Sequence, residues 1–179
     1  MTQSFRRIVT VNDENGRSRI LLDEQTPHQI ALLGDAGLRD FWRHVPGADM
    51  TATREEADMT VRLNPPKGGS VFRFFQVPPE GAAAQLSEEQ RYDLFGKAFE
   101  AIGASGDLVD RTRHPGMHKT KTIDYIILLE GEVTLLLDDG EVDMKPFDVV
   151  VQRQTNHAWV NRGTETATLV AVLNDLGEG

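Results

Sequence analysis

The chain has no cysteine, which removes disulfide cross-links, thiolate metal ligands and cysteine nucleophiles from consideration. It also lacks a basic surplus. Nineteen lysines and arginines stand against 28 aspartates and glutamates, and the formal charge of −9 argues against a nucleic-acid or anionic-membrane surface. No apolar run approaches the roughly 20 residues that a membrane-spanning helix needs. Basic residues near the start have no apolar stretch behind them, so the sequence predicts no secretory leader. Together with the missing cysteines, this points to a cytoplasmic protein. There is no internal repeat and no low-complexity tract.

What is present suits one domain with elaborations. The 179 residues, 39% of them hydrophobic, are ample for a buried core. Residues 6–11 and 19–22 flank the turn Asn12-Asp13-Glu14-Asn15-Gly16 and predict a hairpin. Residues 28–33 predict a short strand. Residues 34–40 are rich in glycine and aspartate and read as a loop leading into Phe41-Trp42. The polar stretch 46–58 is the best candidate for a mobile loop. A proline- and glycine-rich turn at 63–69 precedes a strand at 70–77, which Pro78-Pro79 ends. One helix is predicted over 88–102. Ser87 and Gln90 form a capping-box pattern, Tyr92, Phe95, Phe99 and Ile102 make an apolar stripe, and Gly103 stops it. The stripe is expected to cover the β structure or a partner subunit. β character then returns, with segments at 132–137, 141–144, 149–152, 157–161 and 166–173 and a tight Asp138-Asp139-Gly140 turn. Many short strands at regular spacing predict a sandwich or barrel.

Coordinating chemistry is concentrated in two places, HPGMHKTKTIDYIILLEG from His114 and NHAWVN from Asn156. Side chains alternate faces along a strand. A regular strand therefore puts His118, Thr120, Thr122, Asp124, Ile126 and Leu128 on one face, with Lys119, Lys121 and Tyr125 on the other. His157, Trp159 and Asn161 share a face in the second segment. Two such faces turned inward gather His118, Asp124 and His157 around one point. Two imidazoles and a carboxylate with open positions suit non-haem Fe(II), and equally Mn, Ni or Zn. The competing reading has these histidines bonded to each other, to Asp124 or to water. Asp124 also suits work as a catalytic base without metal, if burial raises its pKa. An acid in an apolar strand is costly unless partnered. In VFRFFQV, either Phe72 and Phe74 face inward or Arg73 and Phe75 do. An inward Arg73 would clamp a substrate carboxylate; otherwise it faces solvent.

These segments resemble the cupin family. The first cupin motif is Gly, five residues, His-x-His, three or four residues, Glu, six residues, Gly, and His118-x-Thr120, three residues, Asp124, six residues and Gly131 fit that frame. His157 and Asn161 fit the end of its second motif, and Pro146-Phe147-Asp148 resembles the Pro-Gly-Asp turn that opens it. The resemblance covers about 114–173, and residues 6–75 with the helix are similar to the N-terminal half of a subgroup of small bacterial and fungal cupins. Thr120 replaces the second histidine, Asp124 replaces the usual Glu, Phe147 stands where Gly is common, and Gln154 stands near another usual Gly. His114 is a lower-ranked substitute for the missing ligand.

The resemblance implies an all-β fold with a minor helical element: a jelly-roll barrel with an N-terminal β extension and one amphipathic helix. It implies a single domain over 1–179, with N-terminal strands and loops in 1–86, the helix in 87–103 and the core motifs in 104–175. It implies a divalent metal on His118, Asp124 and His157, with Thr120, Ile126, Trp159 and Arg73 around a small aromatic or oxo-acid substrate. Oxygenase, decarboxylase or isomerase chemistry would follow. A metal-free cupin that binds a small molecule without turnover is the alternative, and a mainly structural module the third. The resemblance also implies a homodimer, while the acidic balance implies neither nucleic acid nor membrane as partner.

Overall fold

The computed structural model describes residues 5–177 except 35, 53, 56, 57 and 84. Strands β1 (Arg6–Asn12) and β2 (Ser18–Gln25) form a separate two-stranded hairpin around the predicted turn. The main body is a pair of facing antiparallel sheets. One has six strands in the order β3 (Gln29–Leu33), β4 (Ala36–His44), β5 (Ser70–Val77), β11 (Ala167–Asp175), β6 (Thr122–Glu130) and β9 (Val149–Arg153). The other has three, β10 (His157–Val160), β7 (Val133–Leu137) and β8 (Glu141–Met144). This is the all-β jelly-roll architecture with one helix, α1 (Glu88–Ala101). Among the described residues, no helix is long and apolar enough to cross a membrane.

Alternation explains how the two sheets meet. Along β6, Thr122, Asp124, Ile126 and Leu128 are buried while Tyr125 is exposed. Ile126, Leu128, Val133, Leu135, Met144, Leu169 and Leu173 pack together between the sheets. At the other end of this interior, Leu38, Ile102 and Ala104 form a second cluster that receives Phe75 and Phe99. Ser87 accepts from the Gln90 amide and Gln90 returns a bond to Ser87, so the capping box fixes where α1 starts. Gly103, at φ +66°, ends it.

Two sequence expectations need correction. Residues 36–40 are not loop but the first half of β4, in the interior of the six-stranded sheet. Gly37 is there because a Cβ would sit 1.9 Å from the Ile30 carbonyl of β3, a contact no side chain tolerates. Asp40 is fully buried in an ion pair. Glycine and aspartate thus serve packing here rather than a turn. Second, His118 does not begin a regular strand. It makes an isolated bridge to His157, while β6 starts only at Thr122. In the stretch 46–58, residues 53, 56 and 57 lie outside the described residues; Glu55 anchors it, 2.6 Å from Arg7 and 3.2 Å from His28.

Phe147 and Gln154 both have positive φ, +75° and +54°. They occupy the two places where glycine is common in the motif, so the turn geometry survives without the residue that suits it. Phe147 is 79% exposed and has little packing to lose. Phe147→Gly is expected to leave thermal stability unchanged or raised, whereas β-branched Phe147→Val is expected to lower it by about 1 kcal/mol. Calorimetric melts of the two variants check this.

Candidate functional site

Between the sheets, beneath α1, lies a chamber of about 610 Å³. Phe95, Phe99 and Ile102 of the helical stripe form its roof, so the stripe covers the β structure of its own chain. All seven residues singled out from the sequence lie in the wall: Arg73, His118, Thr120, Asp124, Ile126, His157 and Trp159. β6 supplies Asp124 and Ile126 by alternation, and β10 supplies His157 and Trp159 in the same way. Trp159 packs between Phe75 and His157, with ring centroids 5.7 Å from each.

The histidines form a close pair, their ring centroids 4.2 Å apart. Reciprocal backbone bonds of 2.9 Å between His118 and His157 hold them together. Each Nδ1–H donates to a carbonyl: His118 to Gly116 at 3.0 Å, His157 to Thr155 at 2.9 Å. A carbonyl can only accept, so both rings carry their proton on Nδ1 and keep the Nε2 lone pair. Burial disfavours the charged ring and pushes both pKa values down, that of His157 to about 3, with the neighbouring His118 adding to the effect. Burial thus favours the neutral form of both rings.

Asp124 behaves in the opposite sense. Burial raises its pKa to about 6, against which a bond from the Thr122 hydroxyl and the charge of Arg73 act only partly. Thr122 in turn lies 2.7 Å from the Thr120 hydroxyl. A chain of two hydroxyls therefore runs from the carboxylate along the chamber wall. The other carboxylate oxygen, Oδ1, is buried with no hydrogen-bond partner. An unsatisfied buried oxygen is expensive, and in a cavity wall it is open to a ligand's donor.

Arg73 faces inward with Phe75, but its guanidinium is occupied. It bonds Asp40 Oδ2 at 3.0 Å and the carbonyls of Arg62 and Leu63 at 2.5 and 3.3 Å. Its Nε lies 2.9 Å from Asp40 Oδ1, close but not aligned as a hydrogen bond. Arg73 acts on the chamber through its charge rather than as a clamp. A separate polar group, Glu80 and Arg91, lies in the wall under the 3-10 turn Glu80–Ala83. His114 donates from Nε2 to Glu80 at 2.6 Å and accepts from the Gly116 amide, which ties it to that turn rather than to His118. Sequence reasoning gave Thr122 no role and missed Glu80 and Arg91. Thr122 was on the inward parity of β6; nothing local marked the other two.

Residues 109–173 match the family model for the Cupin domain. Over 47 residues the chain is 55% identical to phomopsin biosynthesis cluster protein D of Diaporthe leptostromiformis, covering 26% of this chain and 25% of that protein. Over 66 residues it is 46% identical to a cupin-domain-containing oxidoreductase of Neurospora crassa, covering 35% and 34%. The chain thus spans a quarter to about a third of the length of these relatives. Among crystal structures, a Cupin 2 conserved barrel domain protein from Salinispora arenicola aligns at 14% identity and TM-score 0.41, over 82% of this chain and 81% of that one.

Cupins often hold a divalent metal, and the donor set here meets that need only in part. The two free Nε2 atoms are suitable ligands, oriented by carbonyl partners in the way metal-binding histidines commonly are. No third donor joins them: among the described residues, no three His, Cys, Asp or Glu side chains converge as a metal site requires. The irregular segment 119–121 is the reason. It places His118 on the β10 side of the chamber, while Asp124 stays on β6. The residues present do not fit a three-ligand centre.

The folded Asp124 carboxyl titrates near 6 and an unfolded aspartate near 3.8. The fold therefore binds the extra proton between these values. Stability from this group is greatest below about pH 4 and falls as pH rises through 6. Asp124→Asn removes that loss. In urea melts it is expected to gain up to about 3 kcal/mol over wild type at pH 8 and little at pH 4. Thr122→Val deletes the hydroxyl donor and is expected to move the Asp124 titration higher still, read from its carboxyl ¹³C shift.

Proposed function

We propose that the chamber binds a small, largely apolar organic molecule bearing a carbonyl or hydroxyl group, and that Asp124 moves a proton on it. The observation that carries this reading is the buried carboxylate with one unpartnered oxygen, titrating near 6 in the wall of an apolar cavity. A base is most effective when its pKa lies near the working pH. The bond broken is a C–H next to the ligand's carbonyl. The carboxylate accepts that proton and returns it to a second carbon or to oxygen, which isomerises the molecule with no co-reactant. The Thr120 and Thr122 hydroxyls steady the carboxylate as its charge changes. Trp159 and Phe75 offer flat apolar surface to an aromatic portion. The relatives named as an oxidoreductase and as a biosynthesis-cluster protein support small-molecule chemistry as such.

A second reading has one favouring observation, the paired Nε2 lone pairs of His118 and His157. A divalent ion held there would draw its remaining ligands from solvent or from the bound molecule, and would act as a Lewis acid. Elemental analysis after loading with Fe(II), Mn(II), Ni(II) or Zn(II) tests it. Near-stoichiometric metal, lost in both His118→Ala and His157→Ala, supports this reading.

The proton-transfer reading is tested by ¹H NMR in D₂O with a panel of aryl ketones, β-dicarbonyls and aryl-substituted oxo acids, in metal-chelated protein. Exchange of the acidic C–H is expected for some members. Asp124→Asn is expected to slow it about 10²- to 10⁴-fold, the usual worth of a general base, while quenching of Trp159 fluorescence still reports binding. Exchange that is equally fast in Asp124→Asn, or absent across a panel that binds, overturns the reading.

A further inference from the structure

The chamber carries charge in a second place, far from Asp124. Arg91 reaches its wall from the first turn of α1, one turn ahead of Phe95 and two ahead of Phe99 on the face that roofs the cavity. Glu80 lies beside it. The Arg91 side chain is 34% exposed, and Leu86 in the same wall is 37% exposed, so this is the mouth of the chamber. Three rulers separate the mouth from the other polar groups. Arg91 stands eight residues before Phe99, whose ring lies 4.9 Å from that of His118, which is about 12 Å of helix. His157 stands four residues before Asn161, whose carbonyl accepts from the Glu80 amide at 2.9 Å, which is about 13 Å of strand. Cross-strand pairing sets Asp124 level with Leu173 and Val71, and β5 runs six residues further, to Val77, before the chain reaches Glu80.

Arg91 is poorly satisfied where it stands. A guanidinium carries five N–H donors. Among the described residues the Arg91 side chain makes one hydrogen bond, from Nη2 to Glu80 at 3.4 Å, and its Nε is buried with no partner. Glu80 is better held. The same carboxylate oxygen accepts from His114 Nε2 at 2.6 Å, and the Glu80 backbone is tied to Asn161. The other arginine of the wall, Arg73, commits its guanidinium to Asp40 and two carbonyls. Arg91 is therefore the cation in this wall with open donors. Holding a cation against an apolar cavity is costly unless it meets an anion. Its planar fork suits two-point contact with a carboxylate, better than the single long bond to Glu80.

We infer that Arg91 anchors a carboxylate of the molecule that the chamber holds. This rests on the chamber-binding reading above and narrows it. The ligand is an amphipathic acid, with its charged group at the mouth, its apolar body under Phe95 and Phe99, and its carbonyl end by Asp124. Acid and carbonyl are then on the order of 10 Å apart. An α-oxo acid, in which the two groups are bonded neighbours, cannot touch both Arg91 and Asp124. Glu80 faces the Arg91 charge while the chamber is empty and yields it to the ligand.

Isothermal titration calorimetry tests this with acetophenones that carry a carboxyalkyl chain para to the acetyl group. The chain is lengthened stepwise from 4-acetylbenzoate, and each acid is compared with its methyl ester. Wild type is expected to bind the best acid about 10-fold or more tighter than its ester, the usual effect of a charge-assisted hydrogen bond. The preference is expected to be smallest for 4-acetylbenzoate, which is too short to span. Arg91→Leu is expected to bring the ratio near one and Arg91→Lys to restore part of it. Arg91→Gln gives a second reading should circular dichroism show Arg91→Leu unfolded. Glu80→Gln separates recognition from a structural role. It breaks the same ion pair yet is expected to tighten the acid further, because Arg91 loses its competitor. An acid preference that survives in folded Arg91→Leu overturns the inference. So does a preference independent of chain length, a Glu80→Gln variant that loses it as Arg91→Leu does, or a series in which no acid binds. Arg91-dependent binding without exchange of the acetyl hydrogens in D₂O supports the inference and ends the proton-transfer reading instead.

Discussion

The ion pair of Asp40 and Arg73 carries much of the rest of the structure. Both side chains are removed from water, Asp40 entirely. Burial pulls each toward its neutral form, raising the pKa of the acid and lowering that of the base, and their attraction opposes this. Arg43 adds a second cation 3.3 Å from the same carboxylate. Removing one member of such a cluster leaves an uncompensated buried charge, which typically costs about 3–5 kcal/mol. The cluster also reaches outward. Arg73 holds the carbonyls of Arg62 and Leu63, and the Leu63 amide donates to the Ile102 carbonyl just past α1. One buried pair thus links β4 and β5 to the loop beside them, and that loop to the helix that roofs the chamber.

Much of this architecture was legible in the sequence, because alternation and turn chemistry act locally. The β6 pattern, the Asp138-Asp139-Gly140 turn, the capping box and the inward set of wall residues all follow from spacings of two to four residues. Where reading failed, a distant neighbour had decided the outcome. Gly37 reflects the backbone of β3 rather than a turn. Asp40 reflects Arg73, which lies 33 positions away. The gathering of His118, Asp124 and His157 assumed an unbroken strand, and the break at 119–121 depends on the bridge to β10. Glu80 and Arg91 enter the wall only through tertiary packing.

The chamber's electrostatics follow from the same economy of partners. The two histidines have their Nδ1 protons committed, and burial favours their neutral form. Asp124 has one oxygen committed and one bare, and burial raises its titration to about 6. Arg73 lowers the cost of that charge from a distance while bound to Asp40. The apolar roof and Trp159 keep the dielectric low, which makes each of these influences larger than it would be in water.

The bridge between His118 and His157 has a mechanical consequence. Backbone bonds fasten the two imidazoles to one another and to the three-stranded sheet, whereas Asp124 rides on the six-stranded sheet. Breathing of the sandwich therefore leaves the imidazole–imidazole spacing almost untouched and changes the gap across to the carboxylate. The spacing within the imidazole pair is thus set by one backbone bridge, and its separation from the carboxylate by how the two layers pack.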